Sequence, residues 1–523
     1  MADWMPLLGD GLRWMLVGSV GAVLLAGCVS LPSLQSRSHS SALAEAESAA
    51  TPLGRALAQP VLAHPGLSGI FPLADAHDAF AARVLLARAA ERTLDIQYYI
   101  WRGDMTGSLL FEALHAAAER GVRVRLLLDD NNTSGLDPSL RALDDHPLIE
   151  VRLFNPFRIR SPRALGLLSD FSRLNRRMHN KSFTADNQAT LVGGRNIGDE
   201  YFGAGDGVLF ADLDVLAVGP VVKEVSNDFD RYWASESSYP IDLLLPPAAP
   251  EQLARLAASA SLVERSPAAA SYVQAIRESD FIGRMLQGAL AFEWAPTRMV
   301  SDDPAKGLGR AAAEALLPYQ LNEIIGAPRS DVELVSPYFV PTQAGVQALA
   351  ALAARGVRVR VLTNSLDATD VAAVHSGYAK HRKALLEAGV VLYEMRRLNP
   401  ELEKRKRSGP FGSSGSSLHA KTFAVDRQRV FVGSFNFDPR SANLNTELGF
   451  VIDSPALAGQ IDDTFNGRIA RHAYEVRLTA EGRLYWTEQV GEQRVRHDRE
   501  PDTSVWQRLG VGLLALLPID WLL

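Results

Sequence analysis

The amino-acid sequence contains a long internal repeat, in which a strand-like segment, a helix-like segment and a second strand-like segment follow one another. The segments lie at residues 93–100, 109–120 and 121–128 in the first copy, and at 332–339, 346–355 and 356–362 in the second. Each helix is followed by a glycine, Gly121 or Gly356, which is a common stop signal for helices. Strand, helix and strand in this order are typical of a parallel crossover unit. The repeat therefore predicts two α/β lobes of similar build.

Further strand-like segments at 149–154 and 390–393 extend the correspondence over most of each half. We expect the first lobe at residues 53–245 and the second at residues 316–523. The Ala-rich residues 246–315 between them predict a helical linker or cover rather than part of a catalytic scaffold.

Two features are predicted near the end of the second lobe. Alternating apolar residues at 474–478 and 483–486 flank a short turn and predict a hairpin. Residues 511–523 form an apolar tail that is too short, and too interrupted by proline, to span a membrane. Two interpretations of this tail stay open: it lies in a membrane interface, or it docks against the body of the protein.

The first residues are similar to a bacterial lipoprotein signal. A short apolar run ends in Leu25-Ala-Gly-Cys28, which contains the single cysteine of the chain. In this interpretation residues 1–27 are removed, Cys28 is lipidated, and the Ser- and Ala-rich residues 28–52 form a tether. The alternative is an uncleaved anchor, although the run is shorter than the roughly 20 residues that a spanning helix needs.

Composition narrows the class of protein. A hydrophobic content of 47% with 22% charged residues is typical of a folded globular chain. The formal net charge of -6 argues against a dedicated nucleic-acid binder, which needs a basic excess to neutralise phosphates. A single cysteine excludes both an intramolecular disulfide and a multi-cysteine zinc site.

Each half also contains the motif H-x-K-x-x-x-x-D, followed at fixed offsets by a glycine and an asparagine. The motif residues are His179, Lys181, Asp186, Gly193 and Asn196 in the first half, and His419, Lys421, Asp426, Gly433 and Asn436 in the second. Four matches after a given histidine arise by chance about once in 10⁵ tries at ordinary residue frequencies. The set occurs twice, so it is a strong candidate for a catalytic centre.

Strand periodicity predicts how these residues point. His and Lys are two residues apart on strand-like segments, so they project from one face and share a substrate. Asp186 and Asp426, although part of the candidate catalytic motif, have the opposite parity and begin turns, which predicts turn and ion-pair residues. The return strand of each hairpin brings Asn196 and Asn436 back alongside the histidines.

Two His, two Lys and two Asn supply what phosphodiester transfer needs: a nucleophile, an acid for the leaving alcohol, and donors for the phosphoryl oxygens. A histidine nucleophile must be held in one tautomer by an acceptor. Glu447 and Asp212 occupy matching places in the two repeats and are candidate orienting carboxylates, with Asp214 as an alternative to Asp212. For each, the competing interpretation is an ordinary exposed strand carboxylate. We expect no metal and no other cofactor, because ligand-like clusters are missing from the motif.

These motifs resemble those of the phospholipase D superfamily, in which two α/β lobes meet at a pseudo-twofold axis and share one active site. The resemblance implies that His179 is the nucleophile and His419 the acid and later the base. It also implies that Lys181, Lys421, Asn196 and Asn436 bind phosphate. The second motif adds a hydroxyl contact from Ser434, where the first has Gly194, so the roles of the two sides need not be symmetric.

Within that superfamily, residues 170–181, 193–199 and 433–441 look like those of the bacterial cardiolipin synthases, above all their C branch. The resemblance implies transfer of a phosphatidyl group from phosphatidylethanolamine or phosphatidylglycerol to phosphatidylglycerol through a phosphohistidine intermediate. The implied partners are phospholipids and a membrane rather than nucleic acid, with the oligomeric state open, and the implied location is a bacterial cell envelope. A phospholipase D hydrolase, or a phosphodiesterase acting on nucleic acid, uses the same residues and is the rival interpretation.

Basic clusters precede both motifs and have two interpretations, attraction to an anionic lipid surface or a solvated basic loop. They comprise Arg158, Arg160, Arg163, Arg173, Arg176 and Arg177 before the first motif, and Lys404, Arg405, Lys406 and Arg407 before the second.

Overall fold

A mixed β-sheet forms the centre of the first lobe in the computed structural model, which describes residues 31–203, 212–249, 251–266, 269–397 and 418–523. Its strands are β1 (Ser68–Leu73), β2 (Thr93–Tyr98), β3 (Arg123–Asp129), β4 (Ile149–Phe154), β5 (Ser182–Ala185), β6 (Ala189–Gly193), β7 (Asp214–Val218), β8 (Ser238–Pro240) and β9 (Glu293–Ala295). Their order across the sheet is β8-β4-β3-β2-β5-β6-β7-β1-β9. The neighbours β2, β3 and β4 run parallel, as the crossover pattern predicts.

The second lobe repeats this arrangement. Its strands are β10 (Thr297–Ser301), β11 (Asp331–Val335), β12 (Arg358–Asn364), β13 (Val391–Met395), β14 (Lys421–Val425), β15 (Arg429–Gly433), β16 (Leu448–Ile452), β17 (Ala473–Leu478), β18 (Leu484–Val490) and β19 (Gln493–His497). The order is β10-β16-β15-β14-β11-β12-β13-β17-β18-β19. Strands β13 to β16 therefore follow the same path as β4 to β7, and the prediction of two α/β lobes is confirmed.

Helices cover both sheets. Those of the first half are α1 (Glu45–Ala49), α2 (Pro52–Ala63), α3 (Ala76–Ala89), α4 (Met105–Glu119), α5 (Asp137–Asp144), α6 (Ala164–Ser169), α7 (Phe171–Leu174), α8 (Asp199–Phe202) and α9 (Pro220–Trp233); α10 (Gln252–Glu264), α11 (Ala270–Glu278) and α12 (Phe281–Leu286) follow. The second half has α13 (Leu317–Ile325), α14 (Thr342–Ala354), α15 (Ala372–Ala379), α16 (Arg382–Glu387), α17 (Pro439–Asn443), α18 (Pro455–Asn466), α19 (Ile469–His472) and α20 (Val505–Leu514). Local sequence sets their ends: Asp104 caps α4, and Gly121 follows it with a positive φ of 95°.

The segment between the lobes is not helical throughout. Residues 246–315 contain α10 to α12, as their Ala-rich composition predicts, but also β9 and β10. Strand β9 pairs with β1 of the first sheet, and β10 pairs with β16 of the second. Tertiary pairing with two open sheet edges overrides the local helical preference here. The segment therefore ties the two sheets together.

The described part of the expected tether packs on the first lobe. Arg37 donates to the carbonyl of Ser235 at 2.7 Å, and the amide of Leu43 donates to Asn187 at 2.9 Å. Ser48 is buried and donates to the carbonyl of Asp186 at 2.6 Å. Because its serines and backbone amides find partners, the stretch from residue 31 onward is part of the folded lobe. Cys28 and the expected signal lie outside the described residues.

An apolar core joins the two lobes face to face. Val192 and Val215 of the first lobe belong to one buried cluster with Val432, Leu448 and Phe450 of the second. Truncating Leu448 or Phe450 to alanine costs about 2–5 kcal/mol of the free energy of unfolding. This packing holds the two sheets so that the starts of β5 and β14 face the interface between the lobes.

The apolar tail is divided between a helix and a short 3₁₀ turn. Helix α20 packs against α15, and the turn Asp520–Leu522 packs against α17. None of the helices within the described ranges is long and apolar enough to cross a bilayer.

Candidate active site

The two motifs lie at the interface between the lobes, each at the start of a hairpin. His179 precedes β5 and His419 precedes β14, and each hairpin turns at a pair of residues with positive φ that begins with the motif aspartate. The backbone of the first motif is bonded to the other lobe: the amide of His179 donates to the carbonyl of Thr446 at 2.8 Å. The first histidine is therefore positioned by the segment that carries Glu447.

Glu447 of the second lobe holds His179 of the first. Its Oε2 lies 2.8 Å from Nδ1 of His179, and its side chain is fully buried. The backbone amide of Glu447 in turn donates to Asp302, which also accepts from Lys306 at 2.8 Å. Because Nδ1 faces a carboxylate, it carries the proton, and Nε2 presents its lone pair.

The reciprocal pair is formed by Asp212 of the first lobe and His419 of the second. The Oδ2 atom of Asp212 lies 2.7 Å from Nδ1 of His419. Asp214, the alternative candidate, is engaged elsewhere, 2.8 Å from Arg83 and 3.4 Å from Arg195. Each histidine is thus oriented by the carboxylate of the opposite lobe, so neither lobe holds a complete site by itself.

Both lysines lie beside the histidines in buried positions. The Nζ atoms of Lys181 and Lys421 donate to the carbonyls of His179 and His419, each at 2.5 Å. Lys421 also donates to Nε2 of His419 at 3.0 Å, which requires that nitrogen to be unprotonated. Burial lowers the pKa of Lys421 to about 8 and that of Lys181 well below its usual value. Burial thus disfavours the charged form of both lysines, and an anion bound beside them favours it.

The electrostatics favour neutral imidazoles before substrate binds. Burial, reinforced by Lys181 and Lys421, lowers the pKa of His179 well below its usual value. Burial and the charge of Lys421 lower the pKa of His419 to about 4. Burial raises the pKa of Asp212, but contact with His419 and the charges of Arg195 and Lys421 together outweigh it and lower that pKa to about 2. Burial raises the pKa of Glu447 to about 7.

Asn196 and Asn436 are buried at the return ends of the hairpins. The Oδ1 atom of Asn196 accepts from the amide of Ile100 at 3.1 Å, which leaves its Nδ2 without a partner among the described residues. The side-chain Oδ1 of Asn436 is likewise buried without a partner in the described part of the chain. Buried N–H groups in native structures normally find acceptors, so Nδ2 of Asn196 fits a site completed by a ligand oxygen.

A family model described as "Cardiolipin synthase, PLD-like domain" matches residues 85–233 and again residues 321–469, once in each lobe. This chain belongs to that cardiolipin synthase family. Cardiolipin synthase C of Escherichia coli (strain K12) is 53% identical over 460 residues, which cover 88% of this chain and 97% of that protein. Cardiolipin synthase A of Pseudomonas aeruginosa (strain LESB58) is 27% identical over 393 residues, 75% of this chain and 64% of that protein.

Among solved structures, the phosphatidylserine synthase of Haemophilus influenzae Rd KW20 shares the fold. It superposes with a TM-score of 0.52 at 15% sequence identity, and the match covers 81% of this chain and 92% of that one. The resemblance of the motifs to the phospholipase D superfamily and to the bacterial cardiolipin synthases is therefore confirmed.

The hydroxyl of Ser434 has a different partner from the one that the sequence suggests. This hydroxyl, expected to contact phosphate, donates to the carboxylate of Glu447. The matching Gly194 has no space for a side chain, because a Cβ there lies 2.1 Å from Oδ1 of Asp212. Asp212, which is shorter than Glu447, therefore takes the space beside Gly194 that the hydroxyl of Ser434 takes in the second motif.

Asp186 and Asp426 lie away from the histidines. The carboxylate of Asp186 accepts from the amide of Thr93, at the start of β2. The ring of His179 contacts the ring of Tyr99, just beyond the end of β2. The length of β2 therefore separates Asp186 from His179. Both carboxylates accept from backbone amides, those of residues 91–93 for Asp186 and of residues 329–331 for Asp426. This geometry agrees with the interpretation of both aspartates as turn residues. Backbone amides take the place of the expected ion pairs, because the starts of β2 and β11 offer N–H groups that need acceptors.

Sequence reasoning missed several side chains that shape the cardiolipin synthase site. Tyr99 and Tyr201 place their ring edges against His179 and His419, at centroid distances of 4.8 and 5.1 Å. Asp302 comes from the segment interpreted as a cover. Tyr99 directly follows β2, and this position is the sequence signal that could have predicted its place in the site. The sequence around Asp302 gives no such signal.

The first basic cluster is mostly internal. Arg160 and Arg163 pair with Asp130 and Asp137, and Arg177 pairs with Asp129. These arginines stabilise the loop before the first motif, so neither sequence interpretation describes them. The second cluster lies outside the described residues.

The crossed pairs make a specific prediction. Asp212→Asn is expected to impair His419, and Glu447→Gln to impair His179, because an amide no longer fixes the Nδ1–H tautomer. Turnover should fall by up to about 10⁴-fold in each, the loss known for replacing the carboxylate that holds a catalytic histidine by an amide. Asp426→Asn, which contacts neither histidine, is the control and should keep turnover. Steady-state rates and urea unfolding on the three variants check this; equal rates for Asp212→Asn and the control would contradict it.

Proposed function

We propose that this chain is a phosphatidyltransferase that makes cardiolipin by transferring a phosphatidyl group to phosphatidylglycerol through an intermediate on His179. The observation that carries the proposal is the pair of neutral imidazoles, each fixed at Nδ1 by a carboxylate of the opposite lobe. Two buried lysines and two asparagines surround them, which is a donor set for one phosphodiester.

In the first step Nε2 of His179 attacks the phosphorus of the donor lipid, and the bond from phosphorus to the headgroup oxygen breaks. Protonated His419 gives its proton to that oxygen, so the headgroup alcohol leaves. His419 is neutral before substrate binds, with a pKa of about 4. The negative charge of the bound phosphodiester offsets Lys421 and raises that pKa, which makes protonation of His419 linked to substrate binding.

In the second step neutral His419 takes a proton from the glycerol hydroxyl of phosphatidylglycerol. The hydroxyl oxygen attacks phosphorus, and the bond from phosphorus to Nε2 of His179 breaks. Lys181, Lys421, Asn196 and Asn436 hold the phosphoryl oxygens in both steps. Water in place of the glycerol hydroxyl makes phosphatidic acid instead, so exclusion of water decides between transferase and hydrolase.

The test is a product analysis by mass spectrometry. Purified protein is given phosphatidylglycerol with and without phosphatidylethanolamine, and the lipids and released alcohols are identified. Cardiolipin supports the proposal, and release of ethanolamine or glycerol identifies the donor. Phosphatidic acid as the sole product would replace it with the hydrolase. Turnover of a nucleic-acid phosphodiester, but of no lipid, would replace it with the phosphodiesterase.

Turnover is expected to be independent of divalent metal. In the ranges that the structure describes, no group of three or more His, Cys, Asp or Glu side chains is arranged as a metal site. The lysines, with His419 once it is protonated, supply the positive charge that a metal supplies in other phosphoryl transfer sites. Activity in excess chelator, compared with activity after adding back magnesium or calcium, checks this. Complete loss on chelation with recovery on adding metal would contradict it.

We further propose that the protein works at a membrane of the bacterial cell envelope and is anchored through an acylated Cys28. Leu25-Ala-Gly-Cys28 supports this, and the mature chain is expected to begin at Cys28. Intact-mass measurement of membrane-extracted protein checks it, with Cys28→Ser as the unacylated control. A mass that includes Met1 would contradict cleavage.

A further inference from the structure

Helix α20 and the turn after it present their apolar side chains to solvent. The exposed fractions are 81% for Trp506, 53% for Leu509, 67% for Leu513, 80% for Leu516, 48% for Leu517 and 58% for Trp521. Helical hydrogen bonds continue past α20, through the amides of Ala515 and Leu516. With spacings of three and four residues, Trp506, Leu509, Leu513 and Leu516 line one face. We call the whole set of six exposed residues the first ridge: Trp506, Leu509, Leu513, Leu516, Leu517 and Trp521.

The body holds this ridge firmly in place. Before α20, Tyr474 donates to Asp502 at 2.8 Å, and Ser504 forms a capping box with Gln507. Val511, on the inner side, is buried. The ridge is therefore an ordered apolar surface, not a frayed end, and packing against the body leaves it uncovered.

The ridge carries almost no charge. Between residues 505 and 523 the sequence has one basic and one acidic side chain, Arg508 and Asp520. Arg508 donates to Thr503, and Asp520 pairs with Lys380. Within the described residues, Arg508 is therefore the single charged side chain of this segment without an ion pair, which keeps the cost of moving the surface into an apolar medium to one hydrogen-bonded guanidinium.

Arg440 connects the end of this segment to the active site. Its guanidinium donates to the carbonyl of Leu522 at 2.9 Å and to that of Asn175 at 3.0 Å. Asn175 is four residues before His179, and Arg440 is four residues after Asn436. The ridge therefore ends beside both motifs.

A second group of exposed apolar side chains approaches the same arginine. Leu165, Leu168 and Phe171 on α6 and α7 are 48%, 85% and 47% exposed, and we call them the second ridge. The amide of Asn175 donates to the carbonyl of Phe171 at 2.8 Å, so this ridge leads directly to the contact with Arg440.

We propose that the two ridges form one membrane-docking surface that lies in the interface of a phospholipid bilayer and brings lipid phosphates to the site between the lobes. This inference rests on the proposed function, because a two-chain lipid keeps its acyl chains in the bilayer while its phosphate reacts. Trp506 and Trp521 mark the two ends of the first ridge, and tryptophan prefers the headgroup level of a bilayer. Apolar side chains beside them bury in the acyl boundary.

The first test reports on insertion and does not depend on turnover. The full chain is mixed with vesicles of phosphatidylglycerol and phosphatidylcholine whose acyl chains are brominated, which quench nearby tryptophan. Quenching is expected in the wild type and in His179→Ala, and most of it should be absent from a Trp506→Phe/Trp521→Phe variant. Equal quenching in the double variant would overturn the proposal.

The second test reports on catalysis at the interface. Leu509→Gln/Leu513→Gln/Leu516→Gln keeps helix propensity and removes three apolar contacts. Turnover of phosphatidylglycerol in vesicles should fall about tenfold or more, since each contact is worth a fraction of a leucine's transfer free energy. Turnover of a short-chain phosphatidylglycerol dissolved as monomers should stay within about twofold. Leu62→Gln/Leu262→Gln, at two leucines 72% exposed outside both ridges, is the matched control.

Each outcome decides the matter. Unchanged vesicle turnover in the triple variant, or an equal loss on the dissolved substrate, would overturn the docking surface. Conversion of an oligomer to a monomer by the triple variant, seen by light scattering, would assign the ridge to a protein partner instead. Absence of cardiolipin from every assay of the wild type would reject the proposed function, while the quenching result would still decide the surface.

Discussion

His179→Ala and His419→Ala are each expected to abolish cardiolipin formation while the lobes stay folded. Loss of the nucleophile removes the covalent route, and loss of the acid and base removes about 10²–10⁴-fold of rate by itself. Neither histidine substitutes for the other, because each is fixed by a different carboxylate. Product formation by mass spectrometry measures the effect, which should exceed about 10²-fold in both variants.

Stability must be measured with the rates, because His179 is buried against Glu447. His179→Gln keeps a polar group near that carboxylate and serves as a second variant. Urea unfolding midpoints close to that of the wild type, together with lost turnover, assign the effect to chemistry. Retention of more than a few per cent of turnover in either alanine variant would contradict a single site shared by two histidines.

The lobes and the motif residues were predictable because local sequence determines them. Strand periodicity and the glycines after α4 and α14 gave the repeat, and identical offsets gave the two His, Lys and Asn sets. Strand β4 was predicted with the bounds it has, Ile149–Phe154. Strand β19 was missed, since Gln493–His497 is mostly polar and exposed, and its pairing with β18 is what makes it a strand.

The partners of the histidines could not be predicted in the same way. The sequence placed Asp212 and Glu447 at matching positions, but the choice of partner depends on how the lobes face each other. The same holds for Asp302, which reaches Glu447 only because β10 pairs with β16. We expected Ser434 to contact phosphate because a sequence motif shows that a hydroxyl is present but not where it points. In the structure this hydroxyl donates to Glu447.

The division of labour between the histidines predicts a trapped adduct. A donor with a good leaving group, such as the p-nitrophenyl ester of a phosphatidyl group, needs little acid for the first step, whereas discharge still needs a base. With this donor, His419→Ala should form phosphatidyl-His179 faster than it discharges it, so that p-nitrophenol appears as a burst and the adduct accumulates. Peptide mass mapping after rapid quenching locates the phosphatidyl group.

Asp212→Asn extends this test across the lobe interface. Although Asp212 belongs to the first lobe, its carboxylate holds the Nδ1–H of His419 at 2.7 Å, so its loss should also slow discharge and leave an adduct on His179. Glu447→Gln should instead slow formation of the adduct, and His179→Ala should give none. If His179→Ala accumulates an adduct on His419, the two histidines exchange roles. In that case the crossed pairing requires Glu447→Gln, not Asp212→Asn, to become the variant that traps it.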